Sequence, residues 1–218
     1  GRTTCAYFLK GDRRIVYAST HLAGDEPPAP PDRSLGYVWG VYNSYDLFTC
    51  RPDGSDLRRL TASPGYDAEA TVSPDGKKIV FTSTRDGDLD LYVMDVDGKN
   101  VRRLTNDIGY GGGAFFSPDC QWICYRAQHP RDAEEERAYK DLLAREYIRP
   151  NRTELFIIRA DGTGKRQVTN NGAANFCPFF TPDGKQLIFS SNVGDKDARG
   201  RQPNFELYLI NLDGTGLE

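Results

Sequence analysis

The chain has 218 residues, 38% of them hydrophobic, with 28 Lys and Arg against 31 Asp and Glu and a formal net charge of −3. That length suits one domain with a sizeable core and is short for two large ones. No apolar run approaches the roughly 18 residues of a membrane helix, so membrane insertion is not expected. The near-balanced charge gives no electrostatic ground for a nucleic-acid partner.

Taken in chain order, one pattern returns four times. Phe8 to Tyr17, Val72 to Phe81, Phe116 to Tyr125 and Phe180 to Phe189 are versions of one unit, anchored on Ile15, Ile79, Ile123 and Leu187. In three of them the unit opens with Ser/Thr-Pro-Asp, as in Ser73-Pro-Asp-Gly76. A second unit follows each first one: Asp46 to Gly54, Asp90 to Gly98, Glu154 to Gly162 and Glu206 to Gly214. Leu60-Thr61, Leu104-Thr105 and Val168-Thr169 close three of the repeats.

A period of about 44 residues with short alternating strands is the mark of a propeller blade. Proline presets φ in the first turn, aspartate bonds nearby backbone and glycine takes the left-handed position. The fold class expected is therefore all-β: a β-propeller with about four blades of four antiparallel strands and one helical insertion. The blades run roughly 1–61, 62–105, 106–169 and 170–218, in a single partial propeller domain spanning 1–218. The fourth repeat reaches Glu218 without the Arg-Arg-Leu-Thr type of close, so its outermost strand is expected to be missing. Further blades from the rest of the chain are expected on both sides.

On these Ser-Pro-Asp-Gly-Lys and Asp-Leu-Tyr-Val-Met-Asp-Val-Asp-Gly motifs the chain resembles the TolB-like propeller repeat family over nearly its whole length. The resemblance implies a six-bladed propeller, an extracytoplasmic and typically periplasmic location, and a protein or peptide partner bound at one mouth. It specifies fold far better than function. The repeat is also similar to the propeller that gates prolyl-oligopeptidase-type serine peptidases, but no G-x-S-x-G elbow is present. A small-ligand-binding propeller is the remaining alternative. The reading adopted is a non-catalytic scaffold needing no cofactor.

The turns joining first to second and third to fourth strands are short and alike. The connections from second to third strand are not. Blade 2 uses only Arg85 to Asp88, whereas blade 1 inserts Thr20 to Tyr45, blade 3 Gln128 to Thr153 and blade 4 Gly194 to Asn204. All emerge on one face, where long loops on a rigid scaffold usually carry binding. Tyr37, Trp39 and Tyr42 are the leading contact candidates, because aromatic rings dominate binding hot spots. The bland alternative is that they cover the top of blade 1 or 2.

In the blade 3 insertion Asp132 is a plausible N-cap and Glu135 its capping-box partner. Ala138, Tyr139, Leu142, Leu143 and Tyr147 then form one stripe, predicting a helix from Asp132 to about Glu146 with both leucines buried. The stripe fits packing on the propeller face or a docking lid. His21 and His129 open equivalent insertions and join the partner-binding candidates, with separate hydrogen-bonded loop histidines as the plain reading. Asp67, Gly111 and Asn175 align with Thr3 on the innermost strands. Asp67 and Asn175 are therefore candidates to line the axial tunnel and meet a ligand there. Asp86, Asp88 and Asp90 alternate as in a calcium loop but lack its glycine position and distal glutamate, so a turn is expected and no metal site. Five cysteines in no CxxC pair are expected to be mostly buried on strands.

Overall fold

The computed structural model describes residues 1–195 and 203–218. Blade 1 consists of β1 (Thr3–Phe8), β2 (Ile15–Ser19), β4 (Asp46–Cys50) and β5 (Arg58–Arg59), with the short β3 (Trp39–Gly40) in its insertion. Blade 2 follows as β6 (Asp67–Val72), β7 (Lys78–Ser83), β8 (Asp90–Asp95) and β9 (Arg102–Arg103). Blade 3 has β10 (Tyr110–Phe116), β11 (Trp122–Gln128), β13 (Glu154–Arg159) and β14 (Arg166–Gln167), its insertion carrying α1 (Ala133–Leu143) and β12 (Tyr147–Ile148). Blade 4 has three strands, β15 (Asn175–Phe180), β16 (Gln186–Ser191) and β17 (Glu206–Asn211). Every pairing within a blade is antiparallel. The four-blade expectation, with the last sheet one strand short, matches this topology. Glu218 exchanges two backbone hydrogen bonds with Leu209, where a fourth strand would lie.

The repeat motifs have local causes. In the first turn of blade 2, Asp75 accepts from the Ser73 hydroxyl at 2.6 Å and the Lys77 amide at 3.1 Å, while Ser73 Oγ accepts from the Lys78 amide. Ser117 and Asp119, and Thr181 and Asp183, repeat this arrangement. At the close of blades 1, 2 and 3 a threonine hydroxyl accepts the amide of the first leucine in the third strand. These are Thr61 to Leu47, Thr105 to Leu91 and Thr169 to Leu155, at 2.8–2.9 Å. The same hydroxyl donates to the acid opening that strand, Asp46, Asp90 or Glu154. The Leu-Thr and Asp-Leu signatures are thus two halves of one clamp that fixes the outer strand.

Side chains alternate across each sheet and supply three separate cores, one per blade junction. Ile79 and Phe81 face blade 1 with Val16, Ala18 and Leu47, whereas Val80 faces blade 3 with Ile123 and Tyr125. Cys124, Leu155 and Ile157 meet Phe180, Leu187 and Phe189 of blade 4. Only Cys50 and Cys124 of the five cysteines are buried, and all five are free thiols. The expectation that most would be buried is corrected: Cys5 and Cys177 lie on the axis and Cys120 in a turn. Among the described residues no helix is long and apolar enough to cross a membrane.

α1 begins as expected, with Asp132 accepting from the Glu134 and Glu135 amides at 2.9 Å. Glu135 closes on the Arg131 amide rather than on the cap residue itself. Leu142 and Leu143 are half-buried, not buried, and Ala138 is exposed. The helix lies on the propeller face with one side wet, and only Tyr139, Leu143 and Tyr147 reach the core. Part of the blade 4 insertion, 196–202, lies outside the described residues.

Candidate functional site

The insertions of blades 1 and 3 meet above blade 2. β3 and β12 pair antiparallel, Trp39 opposite Ile148 and Gly40 opposite Tyr147. The Val41 amide donates to the Glu146 carbonyl at 2.8 Å, the Asn43 amide to the Glu146 carboxylate at 3.0 Å, and Arg149 to the Leu35 carbonyl at 2.7 Å. Tyr139 of α1 donates to Asp88, which also accepts the Gly109 and Leu89 amides. The short connection of blade 2 is therefore what the helix stands on.

Beneath it, the four innermost strands share one irregularity. Each slips register at its middle, between Thr4 and Tyr7, Ala68 and Thr71, Gly112 and Phe115, and Phe176 and Phe179. The residue in each slip has positive φ: Cys5 at 52°, Glu69 at 57°, Gly113 at 59° and Cys177 at 53°. Such a bulge re-aims its side chain. All four residues line a cavity of about 550 Å³, walled further by Trp39 and Arg126.

Arg126 stands on the second strand of blade 3 but reaches the axis. A Cβ on Gly113 would come within 1.9 Å of its Nη1, so only glycine leaves that place to the guanidinium. A Cβ on Gly112 would lie 2.7 Å from Glu69 Oε2. Arg126 Nη2 donates to Glu69 at 3.0 Å and to the Tyr110 hydroxyl at 2.5 Å. Glu69 also accepts from the Gly113 amide at 2.6 Å and from the Tyr66 and Tyr110 hydroxyls. Burial holds both tyrosines well above the ordinary phenol pKa, so they remain donors. The Trp39, Tyr110 and Phe176 rings enclose the guanidinium at 5.3–5.8 Å. This buried pair ties blade 2, blade 3, blade 4 and the roof together.

A family profile described as TolB beta propeller domain matches residues 9–134, more than half of the chain. This chain belongs to the TolB beta propeller domain family. The Tol-Pal system protein TolB of Bordetella pertussis is 56% identical over 34 residues, a match spanning 16% of this chain and 8% of that protein. The structure of a putative TolB from Agrobacterium tumefaciens superposes with a TM-score of 0.66 at 20% identity, covering 100% of this chain and 66% of that one. Hydrazine synthase of Kuenenia stuttgartiensis has a TM-score of 0.65 at 15% identity, over 98% of this chain and 32% of its own. Identities that low show the fold alone.

Within this TolB-type propeller the sequence candidates disperse. Tyr37 is 65% exposed and accepts from the Trp39 indole at 2.8 Å. Trp39 is half-buried against Tyr110 and Phe176. Tyr42 is 6% exposed, packs on Tyr45 and Tyr147, and donates to the Ala29 carbonyl. His21 and His129 each lie on the third-strand phenylalanine of their own blade, Phe48 and Phe156, and are not brought together. In blade 2 Arg85 takes that place over Tyr92.

Asp67 and Asn175 do not line the tunnel. Both are buried at the starts of their strands, where the Asp67, Gly111 and Asn175 amides bond the preceding blade at Tyr45, Leu89 and Thr153. Asp67 pairs with Arg85 at 3.0 Å, and burial raises its carboxyl pKa. Asn175 is held by Thr153 and Ser191. The bulge shifts the axial position two residues on, to Glu69 and Cys177. Sequence reasoning missed Glu69, Tyr110 and Arg126. The available signal was Arg126 itself, a charge where the other repeats carry Ala18, Thr82 and Ser190, beside the run Gly111-Gly-Gly113. Among the described residues no three His, Cys, Asp or Glu side chains gather as a metal site requires.

Proposed function

We propose that this propeller is a non-catalytic binding module that receives a protein or peptide partner on its roofed face. The observation that carries the reading is the union of two insertions from non-adjacent blades into one continuous surface, braced by the β3–β12 pairing and by Tyr139 on Asp88. A rigid scaffold holding long, ordered loops is the usual basis of a recognition surface. Tyr37 is the ring offered to solvent, with Trp39 behind it and His21 and His129 on the flanks. Tyr42, Asp67 and Asn175 support that surface from within. The Tol-Pal assignment of the Bordetella relative favours a protein partner and an extracytoplasmic setting.

The test is a photo-crosslinking amino acid placed at Tyr37 and, as a control, at Asp97 in a turn on the opposite face. In cells of the source organism, position 37 is expected to trap a discrete protein adduct that position 97 does not. Equal labelling at both positions, or none at 37, would overturn the assignment of the face.

A further inference from the structure

The donors and acceptors at the axis do not balance. Glu69 is saturated: four groups already donate to its carboxylate. Arg126 has five donors to place. Its Nη2 serves Glu69 and Tyr110 and its Nε is sealed within the protein, whereas its Nη1, set against Gly113 of the cavity wall, has no hydrogen-bond partner among the described residues. The residue is only 8% exposed, and it lines the cavity. Arg2 lines the same space, but its guanidinium lies over the Tyr42 ring and reaches the Pro28 carbonyl, which leaves Arg126 as the cation facing the cavity. The spare capacity is cationic and donating. Most of the remaining wall is aromatic or small: Trp39, Tyr45, Tyr66, Phe115 and Ala70. A cavity of about 550 Å³ lies in the range that encloses a small organic ligand.

We propose that the axial cavity binds a small aromatic carboxylate, its acid group on the Arg126 guanidinium and its ring against Trp39 and Phe115. A planar guanidinium matches a carboxylate better than any other side chain does. A phosphate dianion would call for more donors than one guanidinium with spare capacity supplies. Glu69, at 3.0 Å, compensates the charge of Arg126 when the site is empty and competes with a ligand carboxylate for it. Cation–π contact with Trp39 couples the site to the roof. The inference uses neither Tyr37 nor the outer surface of the roof, so it stands or falls apart from the binding-face reading.

Calorimetric titration of the purified chain with N-acetyl-L-phenylalanine, its amide, and a tetrapeptide ending in phenylalanine tests it. The acid is expected to bind and the amide to bind weaker by on the order of tenfold to hundredfold, the loss of one charge-assisted hydrogen bond. Arg126→Gln is expected to lower affinity for the acid by a similar factor. Glu69→Gln frees the guanidinium and is expected to tighten binding several-fold, a result that keeps the test decisive if Arg126→Gln fails to fold. Tetrapeptide affinity equal to that of the free acid would assign the ligand to a chain end, with the same chemistry. Equal binding of acid and amide, no binding of either acid, or weaker binding by Glu69→Gln would overturn the proposal.

Discussion

Blades 2 and 3 are built from the same repeat and share a core, yet they do different work. On its second strand blade 2 carries Thr82, whose hydroxyl only reaches the Gly111 carbonyl at 3.4 Å. At the matching place blade 3 carries Arg126, which spans to the axis and meets Glu69 of blade 2 at 3.0 Å. Blade 2 fills its axial bulge with Glu69, and blade 3 empties its own with Gly113. Blade 2 connects its second and third strands in the least chain, and blade 3 uses the same connection to lay α1 over its neighbour. The repeat thus specifies the sheet, and departures from it in one blade find their complement in the next.

The sharpest way to break this comparison is to exchange polar for apolar at the two equivalent positions. Arg126→Met leaves Glu69 buried without its cation and should cost about 3–5 kcal/mol of folding stability. Thr82→Val removes one weak hydroxyl contact and should cost about 1 kcal/mol or less. Denaturant unfolding of both variants reads the difference, and similar costs would make Arg126 an ordinary core position.

The roof offers a second contrast. Trp39→Ala uncovers the guanidinium and should cost about 2 kcal/mol, the scale of a partly buried large ring. Tyr37→Ala should change stability by less than about 0.5 kcal/mol, as for an exposed site. If the two variants melted alike, the roof would not be anchored through Trp39.

Tyr139→Phe sharpens the account of how blade 2 carries α1. Losing the hydroxyl donated to Asp88 should cost about 1 kcal/mol and speed amide exchange in α1 with no change in the strands of blade 2. Uniform acceleration across both would show that the helix and the blade open as one unit.

The smallest effect expected is a local response to pH. Hydrogen bonds from the Arg131 side chain and amide, and from Arg152, hold the Glu135 carboxyl at about 2, below its ordinary 4.5. A depressed carboxyl contributes stability that is present above the ordinary value and lost as pH falls toward the folded one. The first turn of α1 should therefore loosen between about pH 4.5 and 2, seen as faster exchange of the Glu134 and Glu135 amides. Exchange there that is flat across this window would remove Glu135 from the account.

The sheets were legible in sequence because their determinants are local. Ser73 with Asp75, and Asp90 with Thr105, act within one blade and recur in register, so the pattern displays them. That the long insertions share one face was legible too, but their pairing through Trp39 and Ile148 over the short Arg85 to Asp88 connection was not read from it. The axial site was not. An unbroken period of two aims Asp67 and Asn175 at the tunnel, but a bulge of left-handed backbone resets the alternation, and none of Cys5, Glu69 and Cys177 is a residue type that advertises positive φ. The Glu69–Arg126 pair joins different blades at different strand positions, so no spacing reveals it. The helix was placed well by its cap, but its burial was overestimated because a stripe records which side is apolar and not how much surface lies beneath.

The central claim is that Glu69 and Arg126 act as one unit across the blade junction. A double-mutant cycle with Glu69→Gln and Arg126→Met, read by equilibrium unfolding, tests it most directly. The account predicts that the double variant is more stable than the sum of the single losses allows, with a coupling of about 2 kcal/mol. Additive losses, with a coupling below about 0.5 kcal/mol, would contradict it.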